Sequence, residues 1–456
     1  DKSRPPRRGG SAPEKSPGRP RGKRPEKNGP TPCILHILLI EFLLFKYTFG
    51  MYVMVSLLLA VIYLGFVSLG LPDSLLGSAW PVMREAFGVS LPSLGIVTML
   101  ISGGTILSSL FADRLIRRIG TYFVTVASVC LTVIGLFGFS LARSFPMLLI
   151  FTLPYGLGAG AIDTALNNYV ALHFSSRHMN WLHCFWGVGT IVSPYIMGYC
   201  LTGAAGWQGG FRTVGCIQIA LLAVIAASYP LWRRPPQAGE TPEVTQRVLT
   251  FPEKWRTPGV PLVLLAFLAY CATEATVMSW ASTYLVEARG IGEVTAAKCG
   301  ALFFIGMTVG RFLSGFLSPR LGDRRMIAIG EGIAAVGILA LFFPLPDLGA
   351  MVALIVIGLG CAPIYPAIIH MTPTNFGADL SGSIIGLEMA FAYVGSTFMP
   401  PLYGLIAGHL TPRLLPLFLT VFFTLHVLLM TVAVRRCAAA RAAAKAAPAG
   451  AETHDE

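Results

Sequence analysis

Four acidic residues, Asp73, Asp163, Glu274 and Glu388, each fall inside a long apolar stretch. A carboxylate at the centre of a bilayer costs on the order of 3 kcal/mol by insertion scales. A chain that keeps such groups gives them water, a counter-charge or a proton to carry. Asp163 is followed by Asn167 and Asn168, and residues 163 and 167 share one helix face. A carboxylate and an amide on one face suit solute hydroxyls or an exchangeable proton. Asp73 follows Pro72, which interrupts the helical hydrogen-bond ladder locally. Glu274 lies midway along its stretch, with Trp280 further on, and Glu388 lies nearer an end. Arg311 is a cation inside another stretch, expected to pair with Glu331 or Glu388 or to extend to the interface. His183, Phe185 and Trp186 open one more. Their aromatic faces can stack on a sugar ring or mark an ordinary interface belt.

The elements that must hold these groups are membrane helices. The chain has 456 residues, 54% hydrophobic and 12% charged, against roughly 25% charged in a soluble domain. The apolar excess comes in blocks of about 20 residues, each long enough to cross ~30 Å of hydrocarbon. The net charge of +12 lies in the first thirty residues and in short loops. It therefore reports membrane orientation rather than nucleic acid. Nine scattered cysteines, mostly within apolar blocks, give no disulfide frame or metal spacing. No phosphate-binding loop, metal cluster or nucleophile constellation is legible, so the reading is a non-enzyme without cofactor or metal.

Residues 1–32 are rich in Pro, Arg, Lys and Gly, the composition of disorder. An apolar run, 33–49, precedes Met51, and only Gly50 could turn the chain before the next span. As one helix, 33–70 would be about 57 Å long, too long for the bilayer. The expectation is that 1–50 is interfacial or foreign to the native protein.

Twelve spans are expected, near 52–79, 92–112, 121–142, 146–172, 182–202, 212–232, 259–286, 298–318, 326–344, 348–370, 382–408 and 413–434. Basic residues crowd alternate loops, which places both termini in the cytoplasm. The domains read as six-helix bundles 51–232 and 259–436, a linker 233–258 and an Ala-rich tail 437–456. The halves repeat. Residues 109–118 align with 315–324, and Val188-Gly189-Thr190 with Val394-Gly395-Ser396, both at a shift of 206. Gly156-Leu157-Gly158 aligns with Gly358-Leu359-Gly360 at 202. At 202, Tyr365 is the counterpart of Asp163. The fold class is thus an all-α polytopic membrane protein of two parallel six-helix pseudo-repeats.

The loop after span two resembles the signature of the major facilitator superfamily, with Asp113, Arg114, Arg117 and Arg118 matching and Ser109 and Ile116 where glycines are usual. By that resemblance, Asp113, Arg114 and Arg118, with Arg320 in the repeat, gate the cytoplasmic helix ends. For Arg117 and Arg118, topology alone is an adequate reason. The run 158–167, Gly-Ala-Gly-Ala-Ile-Asp-Thr-Ala-Leu-Asn, is similar to span four of the fucose permease branch. Asp163 replaces a glutamate there, one methylene longer. Asp73, Gly310-Arg311 and Pro366 also match that branch in position.

The resemblance implies a secondary active transporter: proton-coupled symport of a sugar or similar hydrophilic solute by alternating access, in the bacterial cytoplasmic membrane, as a monomer. Asp163, Asp73 and Glu274 are the expected proton-coupling residues. Asn167, Asn168, Trp186, Trp280, Tyr365 and Glu388 are the expected solute contacts, with Glu388 also a candidate structural partner of Arg311. Two alternatives stay open. A drug or metabolite efflux antiporter would want a more apolar cavity, and a non-transporting nutrient sensor would bind without uptake.

Overall fold

The computed structural model describes residues 33–90, 93–232, 249–291 and 293–446. The expected arm 1–32, most of the linker (233–248) and the last ten residues of the tail lie outside the described residues. The chain divides into two compact units, Asp1–Met54 and Val55–Glu456. The described part of the first is helical, with Gly50 inside the helix and no break there. All that follows concerns the second unit.

Ten helices among the described residues are long and apolar enough to cross a membrane. One of them, Ser93–Leu141, is two helices merged across Gly120, whose φ of 83° and ψ of 157° reverse the chain. The shorter Asp323–Ala340 carries too many charges to register by hydropathy alone. Together they give twelve: α1 (Val53–Phe87), α2 (93–119), α3 (121–141), α4 (Phe145–His173), α5 (Ser176–Thr202), α6 (Gly206–Ala227), α7 (Val260–Arg289), α8 (Glu293–Leu321), α9 (Asp323–Ala340), α10 (Asp347–Phe376), α11 (Ala378–His409) and α12 (Leu415–Ala446).

Two bounds differ most from expectation. Helix α1 does not stop near residue 79. Leu75, Leu76, Ala79, Trp80 and Met83 are buried, so packing carries the helix through Pro81 to the left-handed cap at Gly88 (φ 64°). Helix α12 runs on into the alanine tail, since alanine is the strongest helix former. Two spans are broken. Helix α1 is interrupted at Ser74, just after Pro72 and Asp73. Helix α10 is interrupted at Ala362 and Pro363.

The halves are built on one plan. Gly156 of α4 lies against the Ile101 carbonyl of α2, and Gly358 of α10 against the Phe303 carbonyl of α8. Both pairs are related by a shift of 202. In each, a Cβ would strike backbone, so glycine is what lets the helices meet. Gly322, with φ 77° and ψ 156°, matches Gly120 at the same shift. Arg320 is therefore the counterpart of Arg118. Matching residues 109–118 to 315–324 at 206 slides the two loops by one helical turn, because basic residues recur on successive turns. The shift of 206 holds for α5 and α11, where Gly189 abuts Leu71 and Gly395 abuts Ala272. The difference of four residues is one extra turn at the head of α11.

Gly156→Val and Gly358→Val should each lower the thermal unfolding midpoint in detergent, the overpacking costing about 1–3 kcal/mol. Gly198→Ala, with nothing within 4 Å of the added Cβ, should leave it unchanged.

Candidate functional site

A cavity of about 550 Å³ lies between the halves. It reaches from Asp163 and Tyr365 at mid-depth towards Thr98 near the head of α2 and Pro401 of α11, away from the terminus side, the face where α12 ends and where Gly120 and Gly322 turn the chain. Three carboxyls (Asp73, Asp163 and Glu274) and one guanidinium (Arg311) line it, with hydroxyl and aromatic groups between them.

Asp163 owes its place to α4. Tyr155, Ala159 and Asp163 recur at four-residue spacing and all line the cavity. Asn167, one turn on, lies behind the wall and donates from Nδ2 to Asp163 Oδ1 at 2.8 Å. The Asn167 side-chain oxygen accepts from His183 Nε2 of α5 at 3.1 Å. The other carboxyl oxygen, Oδ2, accepts from the Tyr393 hydroxyl of α11 at 2.7 Å. The central acid is thus fixed by its own helix on one side and by the opposite half on the other. A hydrogen bond to an ionised acceptor is roughly twice as strong as a neutral one.

Asp73 sits at the break in α1, where the ladder is already open. Its Oδ1 accepts from the Tyr155 hydroxyl at 3.2 Å, and its Oδ2 from Trp186 Nε1 at 2.8 Å. The Arg311 guanidinium lies over the Trp186 ring, 5.4 Å from its centroid, a cation–π arrangement. Arg311 also pairs with Glu274 of α7, Nη2 to Oε1 at 3.3 Å, and its Nε makes no hydrogen bond among the described residues. A second chain of polar contacts therefore runs Tyr155, Asp73, Trp186, Arg311, Glu274 and crosses from one half to the other.

Several expected site residues are placed elsewhere. Arg311 pairs with neither Glu388 nor Glu331. Glu331 lies 3.3 Å from His426 Nε2. Glu388 is fully buried off the cavity and accepts from the Thr372 hydroxyl at 2.8 and 2.9 Å. Trp280 donates to the Pro400 carbonyl at 2.9 Å and packs edge-on against Tyr403, so its ring is committed to the α7–α11 contact. Asn168 faces the opposite side of α4 from the cavity and accepts from the Ser381 hydroxyl of α11. Trp186, Tyr365 and His183 do line the cavity, and His183 stacks edge-on with Tyr365 across the halves at 5.0 Å.

At the terminus-side loops, Asp113 is buried and pairs with Arg117 Nε at 3.6 Å. Arg114 lies over Phe111, and Arg118 and Arg320 are exposed. Lys254, in the short helix Phe251–Arg256 that ends the linker, is buried beside this loop. Burial pushes its ammonium below the ordinary lysine range, and Asp113 opposes that shift.

Sequence reasoning missed Tyr393 and Tyr155 as partners of the acids. Tyr155 carried a signal, the eight-residue spacing to Asp163 that puts both on one helix face. Tyr393 carried none, since nothing local relates α11 to α4.

The Major Facilitator Superfamily model matches residues 62–400 and 262–453. An uncharacterised transporter of Sinorhizobium fredii is 26% identical over 365 residues, covering 77% of this chain and 91% of that protein. Among solved structures, the transporter FucP in its outward conformation superposes with a TM-score of 0.65 at 17% identity, over 81% of this chain and 98% of that one. The proton:xylose symporter XylE gives 0.68 at 13% identity, over 83% and 95%. The chain belongs to the Major Facilitator Superfamily. It is a multi-pass membrane transporter, with a family and a fold that are those of transporters rather than enzymes.

Arg311→Met should leave Glu274 buried without its counter-charge and cost about 3–5 kcal/mol, read as a lowered unfolding midpoint. Adding Glu274→Gln to that variant should recover most of the loss.

Proposed function

We propose that the protein couples the movement of a small hydroxylated solute, a sugar or a close analogue, to protons by alternating access. The observation that carries this reading is Asp163. It is a mid-depth carboxyl on the cavity wall whose hydrogen-bond partners come from both halves. Protonation would turn the Tyr393 contact from charge-assisted to neutral, weaken the tie between the halves and remove a charge from the path. The hydroxyl and indole groups around it suit solute hydroxyls, with Trp186 and Tyr365 as faces for a sugar ring. The structural neighbours include a fucose:proton symporter and a proton:xylose symporter, in keeping with this chemistry.

On this reading Asp163 carries the coupling proton, with Asp73 and Glu274 setting the field around it. The basic loops put both termini in the cytoplasm of a bacterial inner membrane, so the cavity faces outward. Asp113, Arg114, Arg118 and Arg320 lie at the cytoplasmic helix ends, where gating contacts form and break. The working unit is a monomer.

A second reading, a small carboxylic acid as solute, is favoured by Arg311. It has one carboxylate contact and a buried Nε with no hydrogen bond among the described residues. Competition decides between them: uptake inhibited by small carboxylates and not by sugars would replace the first reading with the second.

In reconstituted vesicles, a pH gradient acid outside should drive accumulation of a labelled solute from a sugar panel. Asp163→Asn should abolish accumulation while leaving solute exchange at equilibrium. Accumulation indifferent to the pH gradient would reject proton coupling, and intact accumulation by Asp163→Asn would reject this residue as its site.

A further inference from the structure

Below the cavity, on the face where α12 ends, two contacts tie the halves together from repeat-related positions. Asn168 of α4 accepts from the Ser381 hydroxyl at the head of α11, at 3.0 Å. The shift of 202 carries Asn168 onto His370 of α10. His370 Nε2 lies 3.0 Å from the Phe174 carbonyl oxygen, just past the end of α4. The shift of 206 places Ser381 opposite Ser175, the next residue after Phe174. These are the two members of one pseudo-symmetric pair of ties. One is built from an amide and a hydroxyl that do not titrate, and the other from an imidazole.

The surroundings of that imidazole fix its protons. The Phe174 carbonyl oxygen can only accept, so Nε2 carries hydrogen. On the other edge, Nδ1 lies 2.7 Å from Asp323 Oδ2 at the head of α9. Facing an ionised carboxylate, which also only accepts, Nδ1 would carry hydrogen too, and the form of the ring that makes both bonds is the imidazolium. Were that second proton on the carboxyl instead, the pair would still hold the same number of protons. Removing one leaves two choices. Either the Nδ1 lone pair faces the Asp323 carboxylate, or the hydrogen moves to Nδ1 and the tie to Phe174 is lost.

Other ionisable groups on the elements packed around His370 have other partners. Glu388 of α11 accepts from Thr372. Arg441 of α12 donates to the Thr374 carbonyl, and Arg324 of α9 to the Val434 carbonyl. On the α4–α5 side, His173 bonds the Tyr169 carbonyl, Arg177 lies over Trp181, and His178 bonds Tyr63. Arg320 and Asp379 stand at the adjoining ends of α8 and α11.

We propose that His370 and Asp323 form a proton-dependent latch on the terminus-side gate. The latch holds while His370 is charged and releases as the pH on that face rises. The sign follows from the donor count: the charged form, present at low pH, makes both bonds, and the neutral form makes one. The physiological sense rests on the proposed proton symport. Protons entering with solute would acidify the cytoplasmic face, recharge the latch and slow the next opening, so the transporter would limit its own proton load.

The test needs neither solute nor gradient. Spin labels at the exposed positions Ile119 and Arg436, one on each half, would report terminus-side opening in vesicles at equal pH on both sides. The labelled chain would lack the exposed Cys130 and Cys216. The wild-type latch should show the long-distance population rising through a single midpoint as the pH rises and His370 loses its proton. His370→Gln keeps an N–H for Phe174 and removes the titration, so that midpoint should vanish. Its persistence in His370→Gln, or a wild type indifferent to pH, would overturn the latch. Should that variant fail to fold, Asp323→Asn removes the charge that stabilises the imidazolium, and its midpoint should fall to lower pH. An unchanged midpoint there would also overturn it. Because no transport is measured, failure of the latch and failure of the symport reading are separate results.

Discussion

A carboxyl at mid-depth in a membrane persists only where protein or water supplies its partners, and for Asp163 the protein supplies them from both halves. Asn167 comes from the same helix and Tyr393 from α11. The rest of the cavity is arranged around that condition. Asp73 is satisfied by Tyr155 and Trp186, and Glu274 by Arg311, which in turn lies over Trp186. The acids are thus tied into two chains of contacts that cross the interface between the halves. Only Asp163 bonds directly across that interface, to Tyr393, while the chain from Asp73 to Glu274 crosses it where Arg311 lies over Trp186.

Bringing the halves into this relation is the work of close helix approach. Lipid tails give apolar side chains little reason to prefer protein to membrane, so spans associate through packing and interhelical hydrogen bonds. Here glycines bring α2 to α4 and α8 to α10 with backbone against backbone, in the same way in both halves. The positive-φ turns at Gly120 and Gly322 then return the chain identically. One turn more at the head of α11 breaks the symmetry. It places Ser381 against Asn168, while the corresponding position on the other side is held by His370 and a backbone carbonyl. A duplicated fold can thereby give its two halves different chemistry at matching sites.

Much of this was legible from the chain alone, for a local reason. Helical periodicity decides which residues share a face, so Asp163 and Asn167 could be paired from their spacing. The length of each apolar block, the basic loops and the repeat similarly define twelve spans in two parallel halves. Pro72 announced the break beside Asp73. What periodicity does not encode is the rotation of one helix against another. That rotation chose Glu274 over Glu388 for Arg311, turned Asn168 to Ser381 and Trp280 to Pro400, and brought Tyr393 to an acid 230 residues away. It depends on which small residues meet across an interface, a property of two segments together. The spans, their duplication and the acids within them follow from the chain's local pattern. Which partner each acid keeps follows from packing between helices far apart in the chain, which no local pattern records.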